Sequence, residues 1–170
     1  KYKKKKPEQL FLKLLKPNGK KMTWNDSYLN VLKLADDLSL LIKKNDRCLL
    51  ISENRPEWMI SDLAIMLAKG ITVPAYTTYL ERDYEYLIND CNPSVIIVSD
   101  ASQYNKIKNI IQKKSFIKKI ISFEEIKNEN NVTNIENIFQ NDKFKERDFL
   151  DLEISRKDIA CIIYTSGTQG

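Results

Sequence analysis

The sequence predicts an α/β protein, a parallel or mixed sheet with helices on both faces. Three observations carry this. Strand and helix patterns alternate between Arg47 and Ser122; the strand candidates are apolar at consecutive positions, as in Ser94-Val95-Ile96-Ile97-Val98; and the helices between them are apolar on one side only. Strands without a polar face are buried on both sides, and such sheets are built from strand–helix–strand crossovers. At 170 residues, 42% apolar and 30% charged, the chain is long enough to bury that core.

From Thr23 to Lys43, Tyr28, Val31, Leu32, Ala35, Leu38 and Ile42 recur at helical spacing, and Thr23 with Asp26 forms a capping pair. Arg47 to Ile51 reads as a strand closed by the polar turn Ser52-Glu53-Asn54. Asn54 is placed to cap a helix from about Pro56 to Lys69, where Pro56 loses no hydrogen bond in the first turn and Glu57 meets the positive end of the dipole. Gly70 is expected to end that helix as its left-handed residue. Ile71 to Pro74 is a second strand whose proline should end pairing. Thr78-Tyr79-Leu80-Glu81 reads as a capping box for a helix carrying Tyr84, Leu87 and Ile88, stopped by Asn92-Pro93. After the Ser94 to Val98 strand, Asp100 with Gln103 opens a helix from Ala101 to Gln112, and Lys119 to Ser122 is a fourth strand. Glu124 to Asp151, rich in Asn, Lys and Glu, reads as a surface connection with one short helix around Ile135 to Phe139. The last apolar run is Ile159 to Ile163.

The net charge of +5 is unevenly placed. Residues 1–21 hold nine lysines against the single Glu8, so the 19 basic and 22 acidic residues that remain leave the body at −3. The division this implies is a basic arm, 1–21, ahead of a domain from 22 to 170. A lysine run of this kind is a solvated arm, or a contact for an anionic membrane surface. Aromatic residues do not interleave with the basic ones, which argues against nucleic acid as a partner. No apolar stretch is long enough to span a bilayer and no leader pattern opens the chain, so a cytoplasmic location, with at most peripheral membrane attachment, is expected. The chain starts at Lys1 and stops within a loop, and it reads as a fragment.

Cys48, Cys91 and Cys161 show no paired spacing and read as buried small hydrophobes in a reducing compartment. With no His and no paired Cys the usual zinc constellations are absent, no metal ligand is assigned, and Mg²⁺ would arrive with a phosphorylated ligand. Trp58 and Tyr84 sit among aliphatics at helical spacing and read as core. Arg55 reads as a solvated or capping residue. The adjacent pairs Asp36-Asp37 and Glu124-Glu125 point their carboxylates apart, so no catalytic residue is assigned.

The richest segment is Tyr164-Thr165-Ser166-Gly167-Thr168-Gln169-Gly170. A buried strand feeding a hydroxylated, glycine-punctuated loop is the physical form of a phosphate cradle: glycine lets backbone N–H groups approach a crowded anion, and hydroxyls add donors that rotate freely. The spacing of Gly167 and Gly170 is not that of a Walker loop. Tyr164 and Thr168 stand where a nucleophile elbow centred on Ser166 would need glycines, and no His is present to act as base.

Three segments together resemble one family. Ser52-Glu53-Asn54-Arg55-Pro56-Glu57-Trp58, Gly70-Ile71-Thr72-Val73-Pro74-Ala75-Tyr76 and Asp158 to Thr168 are similar, in that order, to the amino-terminal part of AMP-forming long-chain acyl-CoA synthetases, members of the adenylate-forming enzymes. The resemblance runs from about Met22 to Gly170 and implies the amino-terminal subdomain of such an enzyme. It implies a fatty acid activated by ATP as acyl-adenylate and transferred to CoA, with Mg²⁺ helping to neutralise the phosphates. It also implies that Thr165, Ser166, Gly167, Thr168, Gln169 and Gly170 hold those phosphates. Gln169 departs from the Thr or Ser usual there, and the family's Pro-Lys-Gly continuation and catalytic Lys lie beyond these residues, so the fragment alone is expected to be inactive. The alternatives are an adenylate-former for a short-chain, aryl or amino acid, and a non-catalytic basic module for a membrane surface.

Overall fold

The computed structural model describes residues 2–15, 19–144 and 155–165. It opens with the short helix α1 (Tyr2–Lys5) and an antiparallel pair, β1 (Leu10–Lys13) and β2 (Lys21–Thr23). No strand is foreseen within the lysine-rich arm. The pair forms because its apolar side has something to cover: Phe11 stacks on Trp24 with ring centroids 3.6 Å apart, Leu12 packs on the core and Met22 is buried, while Lys13 and Lys21 stand opposite each other in solvent.

Helix α2 (Trp24–Ser39) starts at the expected capping box, with Thr23 Oγ1 accepting from Asp26 N–H at 3.1 Å and Asp26 Oδ2 accepting from Thr23 N–H at 2.9 Å. There follow β3 (Arg47–Ile51), α3 (Pro56–Leu67), β4 (Ile71–Ala75), α4 (Glu81–Cys91), β5 (Val95–Val98), α5 (Ala101–Ile111), β6 (Lys119–Ser122), β7 (Val132–Asn134) and α6 (Ile135–Phe139). Strands β3 to β7 form one parallel sheet in the order β4-β3-β5-β6-β7. Alternate strand residues serve two apolar layers. Cys48, Leu50, Val95, Ile97 and Ile121 meet α2, α3 and α6, whereas Leu49, Ile51, Val73, Ile96, Val98 and Ile120 meet α4 and α5. This is the two-sided α/β architecture expected from the uninterrupted apolar strands. Among the described residues, no helix is long and apolar enough to cross a membrane.

Several helix ends differ from expectation for local reasons. Pro56 holds the residue before it extended, so Arg55 (φ −151°), and not Asn54, takes the cap position of α3. Residues Tyr76 to Tyr79 form a turn with their two rings edge-on at 5.4 Å, so Thr78 does not cap. Helix α4 instead begins at Glu81, where the Asp83 carboxylate accepts from Leu80 N–H at 2.9 Å. At the end of α3 the left-handed residue is Lys69 (φ 63°), not Gly70. Gly70 N–H bonds Ile65 C=O at 2.9 Å and Lys69 N–H bonds Met66 C=O at 3.0 Å, the double closure of a Schellman motif with Lys69 at its turning point. Gly70 is needed for space: a Cβ there would lie 2.8 Å from Ile42 Cδ1, 3.1 Å from Ile65 Cγ2 and 3.3 Å from Asp46 O.

The proline of β4 also acts differently from expectation. Pro74 stays in register with Leu50, and the ladder to β3 runs on to Ala75. Its effect falls on the outer edge, where Thr72 bridges the terminal segment in parallel: Thr72 N–H bonds Ala160 C=O at 3.1 Å and Ile162 N–H bonds Thr72 C=O at 2.9 Å. The next rung would need an N–H at position 74, which proline lacks. Cys161, at that bridge, is exposed, while Cys48 and Cys91 are buried as expected.

Two substitutions separate the roles of the residues ending α3. In chemical denaturation Gly70→Ala should destabilise by about 1–3 kcal/mol through crowding, while Lys69→Gly should be neutral or stabilise by up to about 1 kcal/mol by relieving the left-handed backbone. The opposite ordering would return the left-handed role to Gly70.

Candidate functional site

The strand order places the sheet's switch point between β3 and β5, since the chain moves one way from β3 to β4 and the other way from β5 to β7. Crevices at the carboxyl ends of strands flanking such a point are where open α/β sheets take ligands. Here the position is filled from within. Phe123 N–H bonds Val98 C=O, Glu124 N–H bonds Ser99 C=O and Ser99 N–H bonds Ile51 C=O, which ties the exits of β3, β5 and β6 together.

Arg55 lies across them with a side chain only 6% exposed. Its Nε donates to Glu57 Oε2 at 3.1 Å, its Nη1 to Glu124 Oε1 at 3.1 Å and to Glu53 Oε1 at 3.4 Å, and the guanidinium sits 5.5 Å from the centroid of the Phe123 ring. Burial opposes the charge, but the hydrogen bond and the charge of Glu57 outweigh it and hold the guanidinium above its ordinary range. Arg55 is therefore not solvated: its backbone takes the cap position of α3, but its side chain makes no capping bond and is spent on the three carboxylates. Its distant partner Glu124 is what a reading by local pattern misses.

The segment that leads to the predicted phosphate loop lies along the far side of β4. It enters through a turn in which Asp158 Oδ2 accepts from Ser155 N–H at 2.9 Å, and Asp158 pairs with Lys44 Nζ at 2.7 Å. The hydrogen bond from Lys44 holds that carboxyl below the usual range. The parallel bridge at Thr72 then aims the chain in the direction of the strand carboxyl ends. Ile162 and Tyr164 pack against the layer under α4 and α5, while Cys161 and Ile163 face solvent, so the two-residue period of a strand continues beyond the last rung. Tyr164 OH donates to Asp90 Oδ2, and its ring meets Tyr86 edge-on with centroids 6.3 Å apart. Of the predicted site residues, Thr165 is exposed at the end of this segment; Ser166, Gly167, Thr168, Gln169 and Gly170 lie outside the described residues.

Other features offer less chemistry. A cavity of about 400 Å³ opens between α5 and the start of β6, rimmed by Lys108, Lys114, Lys118 and Lys119. Those ammonium groups are engaged by Glu129, Asn89, Asp46 and Asp37 respectively, so three of the four charges are already paired with a carboxylate. Among the described residues no group of three or more His, Cys, Asp or Glu gathers to hold a metal ion. Burial pushes the Cys48 thiol up to about 12 and the Cys91 thiol to about 11, which removes both as nucleophiles near neutral pH.

A family model described as AMP-binding enzyme matches residues 2–170. The long-chain-fatty-acid–CoA ligase ACSBG1 of Rattus norvegicus is 27% identical over 161 residues, covering 91% of this chain and 22% of its own length. Acetoacetyl-CoA synthetase from Streptomyces lividans shares the fold with a TM-score of 0.83 at 16% identity, over 99% of this chain and 28% of that one. ATP-bound MatB from Rhodopseudomonas palustris does so with a TM-score of 0.74 at 22% identity, over 97% and 31%. The chain spans about a fifth of the length of the curated relatives it matches.

Two outcomes follow from the site as built. Arg55→Ala should lower stability by about 3–5 kcal/mol in denaturant titration, because it strands the buried Glu57 without its partner. In the native protein only Cys161 should react with a thiol reagent, with Cys48 and Cys91 joining it on unfolding, as counted by released chromophore.

Proposed function

The chain belongs to the AMP-binding enzyme family, and we propose that the protein carrying it is a ligase that activates a long-chain fatty acid with ATP and transfers it to CoA. The observation that supports this reading is the terminal segment: a strand-like run bridged to the edge of a parallel sheet and directed toward the strand carboxyl ends, where such sheets bind ligands, ahead of a sequence of hydroxyls, glycines and an amide. In the first step a carboxylate oxygen of the acid attacks the α-phosphorus of ATP. A P–O bond forms, the bond to the β-phosphate breaks, and pyrophosphate leaves. In the second the sulfur of CoA attacks the acyl carbon and AMP departs with the electron pair of the broken C–O bond.

Thr165, Ser166, Gly167, Thr168, Gln169 and Gly170 are proposed to hold the phosphates through backbone N–H groups, hydroxyls and the Gln169 NH₂. Donors fixed before the reaction stabilise developing charge without reorganising. When bound, Mg²⁺ would neutralise phosphate charge, and the amides and hydroxyls of this part of the chain would add donors to the same phosphates. Support for a long-chain acid comes from curated relatives named long-chain-fatty-acid–CoA ligases. Solved structures of the same fold include an anthranilate CoA ligase and an acetoacetyl-CoA synthetase, so substrate preference is decided by assay.

ATP–pyrophosphate exchange by the full-length protein should depend on added acid and favour long-chain fatty acids over acetate, aryl acids and amino acids. Replacing Thr165, Ser166 and Thr168 together by alanine should slow exchange by about a hundredfold or more. Exchange that needs no acid, or that survives the triple replacement, overturns the reading.

A further inference from the structure

Resting on the reading of Thr165 to Gly170 as the ATP phosphate loop, we propose that Tyr164, held by Asp90, is the positioning residue that sets where that loop leaves the sheet. Among the described residues the main chain holds this segment to the sheet at one position only. The ladder between β4 and the terminal segment consists of the two bonds at Thr72, and the next donor in line is the absent N–H of Pro74. From Ile163 onward the described segment has no main-chain partner in the sheet, yet the loop begins at the next residue but one.

The hold is supplied by a side chain. Tyr164 OH donates to Asp90 Oδ2 near the carboxyl end of α4, and its ring lies on the same apolar layer as Ile162 and edge-on to Tyr86 at an interplanar angle of 89°. Helix α4 is a firm anchor because Tyr84, Leu87, Ile88 and Cys91 bury its inner face and Tyr84 OH is bonded to Tyr76 C=O at 2.7 Å. Burial and the Asp90 carboxylate push the Tyr164 phenol above its ordinary range, so it stays a donor at any working pH. Lys44–Asp158 and the Thr72 bridge fix the start of the segment, and the Tyr164 hydroxyl fixes its end. Small displacements of a positioning group cost rate steeply, which makes the residue directly before Thr165 the sensitive one.

The test uses the full-length protein and compares KM for ATP with KM for the acid. Tyr164→Phe keeps the ring and loses the hydroxyl; it should raise KM for ATP by about threefold to tenfold and leave KM for the acid within about twofold. Asp90→Ala should do the same, Asp90→Asn should restore most of the loss because its amide oxygen still accepts, and the Tyr164→Phe/Asp90→Ala double variant should be no worse than either single one. An unchanged KM for ATP in Tyr164→Phe, an equal rise for the acid, or an Asp90→Asn as damaging as Asp90→Ala overturns the proposal. Should Asp90→Ala fail to fold, Tyr164→Phe and Asp90→Asn decide it alone. The Thr165/Ser166/Thr168 triple alanine variant separates the two levels. If it leaves KM for ATP unchanged, the phosphate reading itself fails. If it raises KM for ATP while Tyr164→Phe does not, only the positioning role fails.

Discussion

The rest of the structure depends on the burial of β3. Cys48, Leu49, Leu50 and Ile51 are all 0% exposed, and the strand is bonded to β4 on one edge and β5 on the other. A strand with no polar face has one tolerable position, the middle of a sheet covered on both sides, and parallel neighbours can reach it only through crossovers long enough to hold a helix. Its alternation then assigns the layers: Cys48 and Leu50 demand α2, α3 and α6, while Leu49 and Ile51 demand α4 and α5. Because crossovers are right-handed, helices on opposite faces mean strands added in opposite directions, and the switch point beside β3 follows from that alone.

Among the described residues the sheet grown outward from this buried strand is bounded by β7 and β4. β7 is three half-buried residues long, too short to template another chain. At the other side β4 carries Pro74, which removes a donor from the outer edge, and the terminal segment covers what remains. The same proline that blunts the edge limits the segment to two main-chain rungs. Protection of the edge and the shortness of the ladder therefore have one cause.

Much of this was legible because local chemistry decides it. The Thr23–Asp26 cap, the Asp100 cap that accepts from Gln103 N–H at 3.0 Å, the strand at Lys119–Ser122 and the short helix at Ile135–Phe139 all follow from residues within a few positions of one another. What escaped depends on partners far away in sequence. The Leu10–Lys13 strand hides among lysines because its apolar side is defined by Trp24 and the core. Lys69 takes the left-handed position because Ile42, Ile65 and Asp46 leave no room for a side chain one residue later. Cys161 belongs to an apolar run that looks buried, but an edge segment has one covered face and this residue is on the other. Arg55 finds Glu124, and Tyr164 finds Asp90, across 69 and 74 residues of sequence. The phosphate loop is proposed from its composition and from the motifs that precede it, whereas the contact of Tyr164 with Asp90 just ahead of it has no local signature.

Charge explains why the phosphate function is proposed at the margin of the sheet and not at its switch point. Arg55 faces Glu53, Glu57 and Glu124, so the cluster carries two uncompensated negative charges, which Lys20, 3.9 Å from Glu57, offsets only in part. A polyphosphate brought there would meet like charge at about 3 kcal/mol for each pair 5 Å apart at an effective dielectric of about 20. The exits of β3, β5 and β6 carry Glu53, Asp100, Glu124 and Glu125, whereas Ile159 to Gly170 contains no acidic residue. Neither does the exit of β4 from Tyr76 to Leu80, the strand against which the terminal segment lies. The described part of the terminal segment, 159–165, and the exit of β4 thus lie at one edge of the sheet. The switch point is closed by its own ion cluster, whereas at the terminal segment Asp158 is paired with Lys44 and the Asp90 carboxylate is occupied by the Tyr164 hydroxyl.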